Sequence, residues 1–313
     1  MNYFNILLTL LPYMGYATAG IISNRIGISR GKPEKYLQFV LINVMFPVLA
    51  FNFIIGNPVM ENFTKIASAP LVGFFSIVIG FAIGYYAAGF IGVKRVESVR
   101  SFAFTVGMYN YAFFSIPLTF ALYGEDIVGV LLVHNLGNDI AVWSVGVGLL
   151  TGSGIYNPMR LLKNPPILAI ITALTINFIS GGAPMPETLK MITSTITKIA
   201  IPAGLFISGA TLADNMGLFN NKDGRKIMRG SVALRMFVIP AIVVLLVSLL
   251  PIAREVKMVT AIQASMPAGM STVVIVKYFS ADAEASVPVI IATTLVSIFT
   301  MPLWISVFQM ILL

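Results

Sequence analysis

Cysteine is absent from the 313 residues, histidine occurs once and tryptophan twice. Without cysteine there are no disulfides, thiolate metal sites or thiol nucleophiles. A single histidine, with no H-E-x-x-H pattern, leaves out the zinc hydrolases that carry this motif. The phosphate-cradling pattern G-x-x-x-x-G-K-[ST] is also missing, which speaks against direct drive by ATP. Charge is scarce: Asp, Glu, Lys and Arg make up 10% of the chain, against about 25% in soluble domains. The longest hydrophilic run, Ala213 to Gly230, is 18 residues. It leaves no room for a soluble domain, and none is expected at either end. Chemistry therefore belongs to the apolar part, and no cofactor is expected.

That apolar part is 58% of the residues. It divides into ten stretches near the length of about 20 residues that spans a bilayer as helix. They cover 2–24, 36–55, 66–93, 101–123, 127–150, 165–180, 186–212, 231–252, 258–278 and 286–312. The first, "MNYFNILLTLLPYMGYATAG", ends in the cleavage-like Ala17-Thr18-Ala19 but lacks the basic start of a leader, and so reads as a span. If the chain starts outside, fourteen Lys and Arg fall in inward loops and four in outward loops, with Lys198 and Arg235 inside spans. This asymmetry predicts that both termini lie outside the cytoplasm. The net charge of +8 then reflects topology and contact with lipid, with no nucleic-acid partner.

Ten spans split into five and five: residues 1–150, a cytoplasmic connection over 151–164, and residues 165–313. An odd number per half inserts the halves in opposite orientations. The second and seventh stretches share a weak likeness, "FPVLAF" (Phe46 to Phe51) and "IPAGLF" (Ile201 to Phe206). The fourth and ninth stretches say more. "TVGMYNYAFFSIPLTFALYG" (Thr105 to Gly124) places Gly107, Asn110, Ser115 and Pro117 in its middle. "TAIQASMPAGMSTVVIVKYF" (Thr260 to Phe279) is interrupted by Gln263, Ser265, Pro267, Gly269, Ser271 and Thr272. Non-helical backbone at mid-membrane is tolerated only against protein or a water-filled cavity. Matched interruptions in two halves point to a transporter's binding site.

These motifs resemble the auxin efflux carrier family. Asn110 precedes Pro117 by seven residues ahead of an "LYG" end, as in that family's fourth span. "ASMPAGMSTVVIVKYFSADAEASVPVIIATTLVSIFTMPLW" resembles its ninth and tenth spans, and "KNPPILAI" (Lys163 to Ile170) the opening of its sixth. The resemblance covers essentially the whole chain. It implies an all-α membrane fold of ten helices in two inverted five-helix repeats, with helices four and nine broken and crossing at mid-membrane. That is the architecture of sodium–proton antiporters and bile-acid symporters, with a scaffold half and a moving transport half. It further implies efflux or exchange of small organic anions, auxins in plants and dicarboxylates such as malate or malonate in bacteria, and a homodimer through the scaffold. The compact loops resemble the bacterial branch, since plant carriers often carry a long central loop that is missing here. The location implied is the bacterial cytoplasmic membrane.

If both interrupted helices restart at the crossing, their free N–H groups make anion sites. Pro117 and Pro267 suit first turns, where no N–H is needed, and Ser115 and Ser265 are candidate caps. Asn110, with a donor and an acceptor, is the first candidate for substrate contact, bonding of frayed backbone being its other role. Tyr111, Ser115, Pro117, Pro267, Gly269 and Ser271 complete the candidate substrate set. Asp139 lies about 18 Å along a helix from Ile127, roughly mid-depth, and an intramembrane carboxylate is a functional hypothesis by default. Asn135 shares its face at i,i+4. The pair suits either a coupling proton on Asp139 or a sodium ion held with Asn135. His134 reads as a structural group. Lys198 reads as a vestibule or snorkelling lysine, and Arg235 as snorkelling to the cytoplasmic surface. Gly80 and Gly84 form a G-x-x-x-G packing motif.

An anion channel with the same wet crossing, and a non-transporting sensor or sterol-binding protein of the same fold, stand as alternatives. An enzyme is not expected, because only Asp139 is a central acidic group and intramembrane aspartyl proteases need two.

Overall fold

The computed structural model describes residues 3–155, 163–216 and 222–312. Residues 156–162 of the expected inter-repeat connection, Arg160 among them, lie outside the described residues, as do the side chains of Lys65 and Lys222. The architecture is all-helical, and among the described residues there is no strand. In chain order the main helices are α1 (Tyr3–Arg25), α2 (Lys32–Ile54), α3 (Ala69–Ile91), α4 (Val96–Gly107), α5 (Ser115–Tyr123) and α6 (Glu125–Thr151). They continue with α7 (Pro165–Ile179), α8 (Glu187–Asn215), α9 (Gly224–Leu249), α10 (Arg254–Ser265), α11 (Ser271–Tyr278) and α12 (Ala283–Leu312). Among the described residues seven helices are long and apolar enough to cross a membrane. The sixth apolar stretch gives the 15-residue α7, and the fourth and ninth are each cut in two.

The cuts follow from local chemistry. α4 ends at Gly107, and Met108 is extended (φ −83°, ψ 105°). Asn110 Oδ1 then accepts the Phe113 N–H at 3.1 Å, a side-chain substitute for a backbone turn that asparagine readily makes. In the second cut Met266 is extended (φ −69°, ψ 147°), because the residue before a proline is driven off the helical region. Pro117, as the third residue of α5, costs no helical bond.

The extended backbone at the two cuts pairs with itself. Asn110 N–H donates to the Pro267 carbonyl and Gly269 N–H to the Met108 carbonyl, both at 2.8 Å, with Tyr109 and Ala268 as an antiparallel bridge. Ala268 N–H donates to Thr293 Oγ1 on α12 at 3.1 Å. Backbone groups that water cannot reach are thereby satisfied.

Packing sorts the helices into two groups that ignore chain order. α1 lies chiefly on α8, and α2 on α7 and α8; α3 packs on α4 and α6, while α12 packs on α4, α9, α10 and α11. The G-x-x-x-G motif serves the second group: a Cβ at Gly80 would sit 2.8 Å from Gly107 Cα, and one at Gly84 2.9 Å from Ala103 Cα. Only glycine allows this approach of α3 to α4.

Among the described residues three helices contain a π turn: Leu41–Met45 in α2, Val142–Gly146 in α6 and Leu234–Val238 in α9. Pro47 and Pro240 follow two of them, each lacking the N–H that an α-helical carbonyl would take. Ile42 and Trp143, from two of these turns, reach the cavity described next. Arg235, in the third, reaches the second cut.

Candidate functional site

A cavity of about 480 Å³ opens between the two helix groups. α2 and α7 form one wall with residues such as Phe46, Leu49 and Ile170. The first cut, α6 and α11 form the other, through Asn110, Tyr111, Asn135, Asp139 and Ser271. Most of the lining is apolar, with a few convergent polar groups, which is the usual make-up of a small-molecule site. Gln38, Trp143, Pro166 and Tyr278 border it, so it extends towards the end of the molecule where α2 and α7 begin and α6 and α11 finish. That end carries Arg25, Arg30, Lys32 and Lys35.

At the opposite end the groups are pressed together. Asn57 Nδ2 donates to the Asp126 carbonyl at 3.0 Å, and the rings of Phe53 and Phe120 lie 6.1 Å apart. Lys190 Nζ donates to the Asn52 carbonyl at 2.9 Å and meets Glu125 Oε2 at 3.4 Å.

A polar network ties α6 to both cuts. Tyr111 Oη donates to Asp139 Oδ1 at 2.6 Å, and Asn135 Nδ2 donates to the Tyr111 carbonyl at 3.0 Å. Asn135 Oδ1 accepts from Gln263 Nε2 at 2.6 Å and from Asn138 Nδ2 at 3.0 Å. Asn138 Nδ2 also donates to Gln263 Oε1 at 2.8 Å, and its own Oδ1 accepts from Tyr109 Oη at 2.9 Å. In a low-dielectric interior a network this fully satisfied holds its members in one arrangement. Asn110 Nδ2 is the exception: buried on the cavity wall, it has no partner among the described residues.

The structure thus gathers Asn110, Tyr111, Ser271, Asn135 and Asp139 around one space. Ser115, Pro117, Pro267 and Gly269 are buried behind it and do not line it. The expected serine caps are not made. Ser115 Oγ donates to the Asn110 carbonyl at 3.3 Å, and Ser265 Oγ to the Ile262 carbonyl in the last turn of α10. Pro267 lies inside the cut, four residues before α11 begins, so it is not in a first turn. Several N–H groups expected to face an anion are already spent on the cuts themselves: those of Asn110, Phe113, Ala268 and Gly269.

His134 is fully buried off the cavity, with Nε2 3.3 Å from Thr260 Oγ1. Lys198 is exposed and does not line the cavity. Arg235 corrects an expectation outright: it is 0% exposed. Its guanidinium turns inward to the second cut because unpaired carbonyls wait there, instead of snorkelling to the surface. Counting its four-residue depth from the polar loop hid this; the rule that arginine within an apolar span marks function would have found it. Tyr109 and Gln263, which complete the network, carried no charge to draw attention.

Residues 153–305 match the family model described as "Membrane transport protein". An uncharacterized transporter of Methanocaldococcus jannaschii is 22% identical over 292 residues, covering 91% of this chain and 93% of the relative. Another from Methanothermobacter thermautotrophicus is 23% identical over 309 residues, covering 95% and 96%. Residues 153–305 thus resemble the membrane transport protein family, the auxin efflux carrier-like group, in keeping with the motifs of the sixth, ninth and tenth apolar stretches.

Proposed function

We propose that the protein is a secondary transporter that moves a small organic anion, a mono- or dicarboxylate of the malate or malonate kind, across the cytoplasmic membrane by alternating access. In this reading residues 1–150 and 165–313 are two inverted five-helix repeats joined by a cytoplasmic connection over 151–164. Both termini lie outside, and α4/α5 and α10/α11 are the crossing broken helices. The group α1, α2, α7 and α8 is the scaffold, and the remainder moves against it. The observation that carries the reading is the cavity between the groups, walled by the first cut and closed at its far end. With the basic loops inside, it faces the cytoplasm. The pressed far end favours an alternating step over an open channel, and a site of positioned hydrogen-bonding groups, with no base paired to Ser271 and no paired acids among the described residues, favours transport over catalysis.

Asn110 Nδ2 supplies the unsatisfied donor for a cargo carboxylate, and Tyr111 and Ser271 flank it. Asp139 carries the coupling ion, and that ion is a proton. Sodium would need several free oxygens, yet Asn135 Oδ1 and the Tyr111 carbonyl already accept hydrogen bonds. An anionic cargo and an ionised Asp139 repel each other across one cavity, so loading the cargo requires the protonated acid.

The test is counterflow in proteoliposomes with labelled malonate and malate. Saturable uptake, accelerated by the same anion inside and driven by an inward proton gradient, is expected. Unsaturable flux that follows voltage would establish a channel, and binding without flux would establish a sensor.

A further inference from the structure

We propose that Arg235 is the fixed positive charge that makes this cavity select anions. Among the described residues no lysine or arginine lines the cavity, and Lys277, near its rim, is occupied by Asn215 Oδ1 at 2.8 Å. Arg235 stands one layer behind the wall. Its guanidinium carbon lies 5.0 Å from the centre of the Tyr109 ring, and Tyr109 is part of the lining. Tyr109 cannot swing aside easily, because its hydroxyl is held by Asn138.

The rest of the guanidinium grips the end of α10. Nε donates to the Met266 carbonyl at 2.9 Å, and Nη2 to the Ala264 and Gln263 carbonyls at 2.8 and 3.3 Å. These carbonyls lie at the end of α10, where carbonyls run out of intrahelical amide partners; the Gln263 carbonyl also accepts the Met266 N–H at 3.2 Å. They carry a partial negative charge of about half a unit in total, too little to cancel a guanidinium, which keeps its charge at physiological pH. Among the described residues no carboxylate lies within ion-pair distance of Arg235, the two ion pairs being Arg30–Asp214 and Lys190–Glu125. Nη1 is buried with no hydrogen-bond partner. A fully buried charge without a counter-charge is strongly unfavourable, and a membrane protein keeps one where function uses it. The missing counter-charge is supplied by the cargo carboxylate, across the Tyr109 ring. The clamp and the field belong together, because the side chain that shapes the second cut also sets the sign of the space beside it.

The inference rests on the organic-anion reading, so the experiment must separate the two. Full-length protein in detergent is titrated with acetate, malonate, malate and uncharged malonamide, following the fluorescence of Trp143 on the cavity wall, and its melting temperature is recorded. Wild type is expected to favour malonate or malate over malonamide. Arg235→Gln should lose that preference through a drop of about tenfold or more in carboxylate affinity, with malonamide binding little changed. Arg235→Lys, which keeps the charge but not the forked grip on three carbonyls, should melt lower yet retain the preference. Retention of the preference in Arg235→Gln, or its loss in Arg235→Lys, would overturn the proposal while leaving the anion reading intact. Should Arg235→Gln not fold, the lysine variant decides alone. Absence of any preference in wild type would sink the anion reading, and this inference with it.

Discussion

At the residue scale, Asn110 and Asp139 divide the work differently from two equivalent polar groups. Asn110 has its oxygen committed to the turn and its nitrogen uncommitted, so one end of the amide shapes the cut and, under the proposed function, the other contacts the cargo. Asn110→Ala removes both. A hydrogen bond to a charged partner contributes about 1.5–3 kcal/mol, so carboxylate affinity should fall by about tenfold or more, measured by titration of purified protein. Asn110→Asp keeps the turn-forming oxygen but places a second acid on the wall; it should bind carboxylates worse than the alanine variant. Equal affinity in the two would remove the contact role. For Asp139 the sign of the pH effect follows from repulsion. If the anion needs the protonated acid, wild-type affinity declines as pH rises and the carboxyl ionises. Asp139→Asn is permanently neutral, so its affinity should hold steady across the same range, while uptake loses its response to a proton gradient.

At the scale of elements, two segments that fail as helices succeed as a pair. The extended stretch around Tyr109 would be costly alone in hydrocarbon; against Pro267 and Ala268 its backbone is satisfied. α3 must lie close for this to hold, and Gly80 facing Gly107 provides the approach. Gly80→Leu forces the helices apart, and overpacking of this kind costs about 1–3 kcal/mol. The expected result is a lower melting temperature together with reduced transport, whereas Gly89→Leu, at a glycine with open space around it, should leave melting unchanged. A comparable loss at both positions would show that general helix propensity, and not the α3–α4 contact, is at stake.

At the scale of the whole molecule, the two helix groups touch at one end and part at the other, which is what the proposed alternating cycle requires of one of its states. The absence of cysteine makes the proposed cycle directly testable. A single cysteine at Ala50, on the cavity wall, should react with a membrane-impermeant thiol reagent from the cytoplasmic side and be protected by saturating malonate. Reaction solely from the outside would reverse the orientation proposed from the basic loops. Separating the pressed end by Lys190→Ala, which breaks a contact to Asn52 and Glu125, should raise outside labelling at the same position. The salt bridge itself is exposed and worth about 1 kcal/mol or less, so the shift should be a few-fold.

Hydrophobic length and the clustering of basic loops made membrane helices and their approximate ends legible in the sequence. The same is true of the weak points in the fourth and ninth stretches, because glycine, asparagine and proline act on the backbone locally. Asn110, Asn135 and Asp139 were legible too, since polar groups are conspicuous in an apolar run and i,i+4 spacing is fixed by helix geometry. Which side of the cut each residue faces was not. Ser115 and Ser265 look like caps by position, but their hydroxyls bond to carbonyls of their own chain turns. Gly269 and Pro267 turned out to be bridge, not wall. The grouping of α1 and α2 with α7 and α8 crosses the midpoint of the chain, and no local signal encodes it. Arg235 shows the limit most clearly: snorkelling depends on whether water or an unpaired carbonyl is nearer, and only the tertiary arrangement brings the end of α10 within reach. Local backbone chemistry fixed where the helices fail; long-range packing decided what those failures touch.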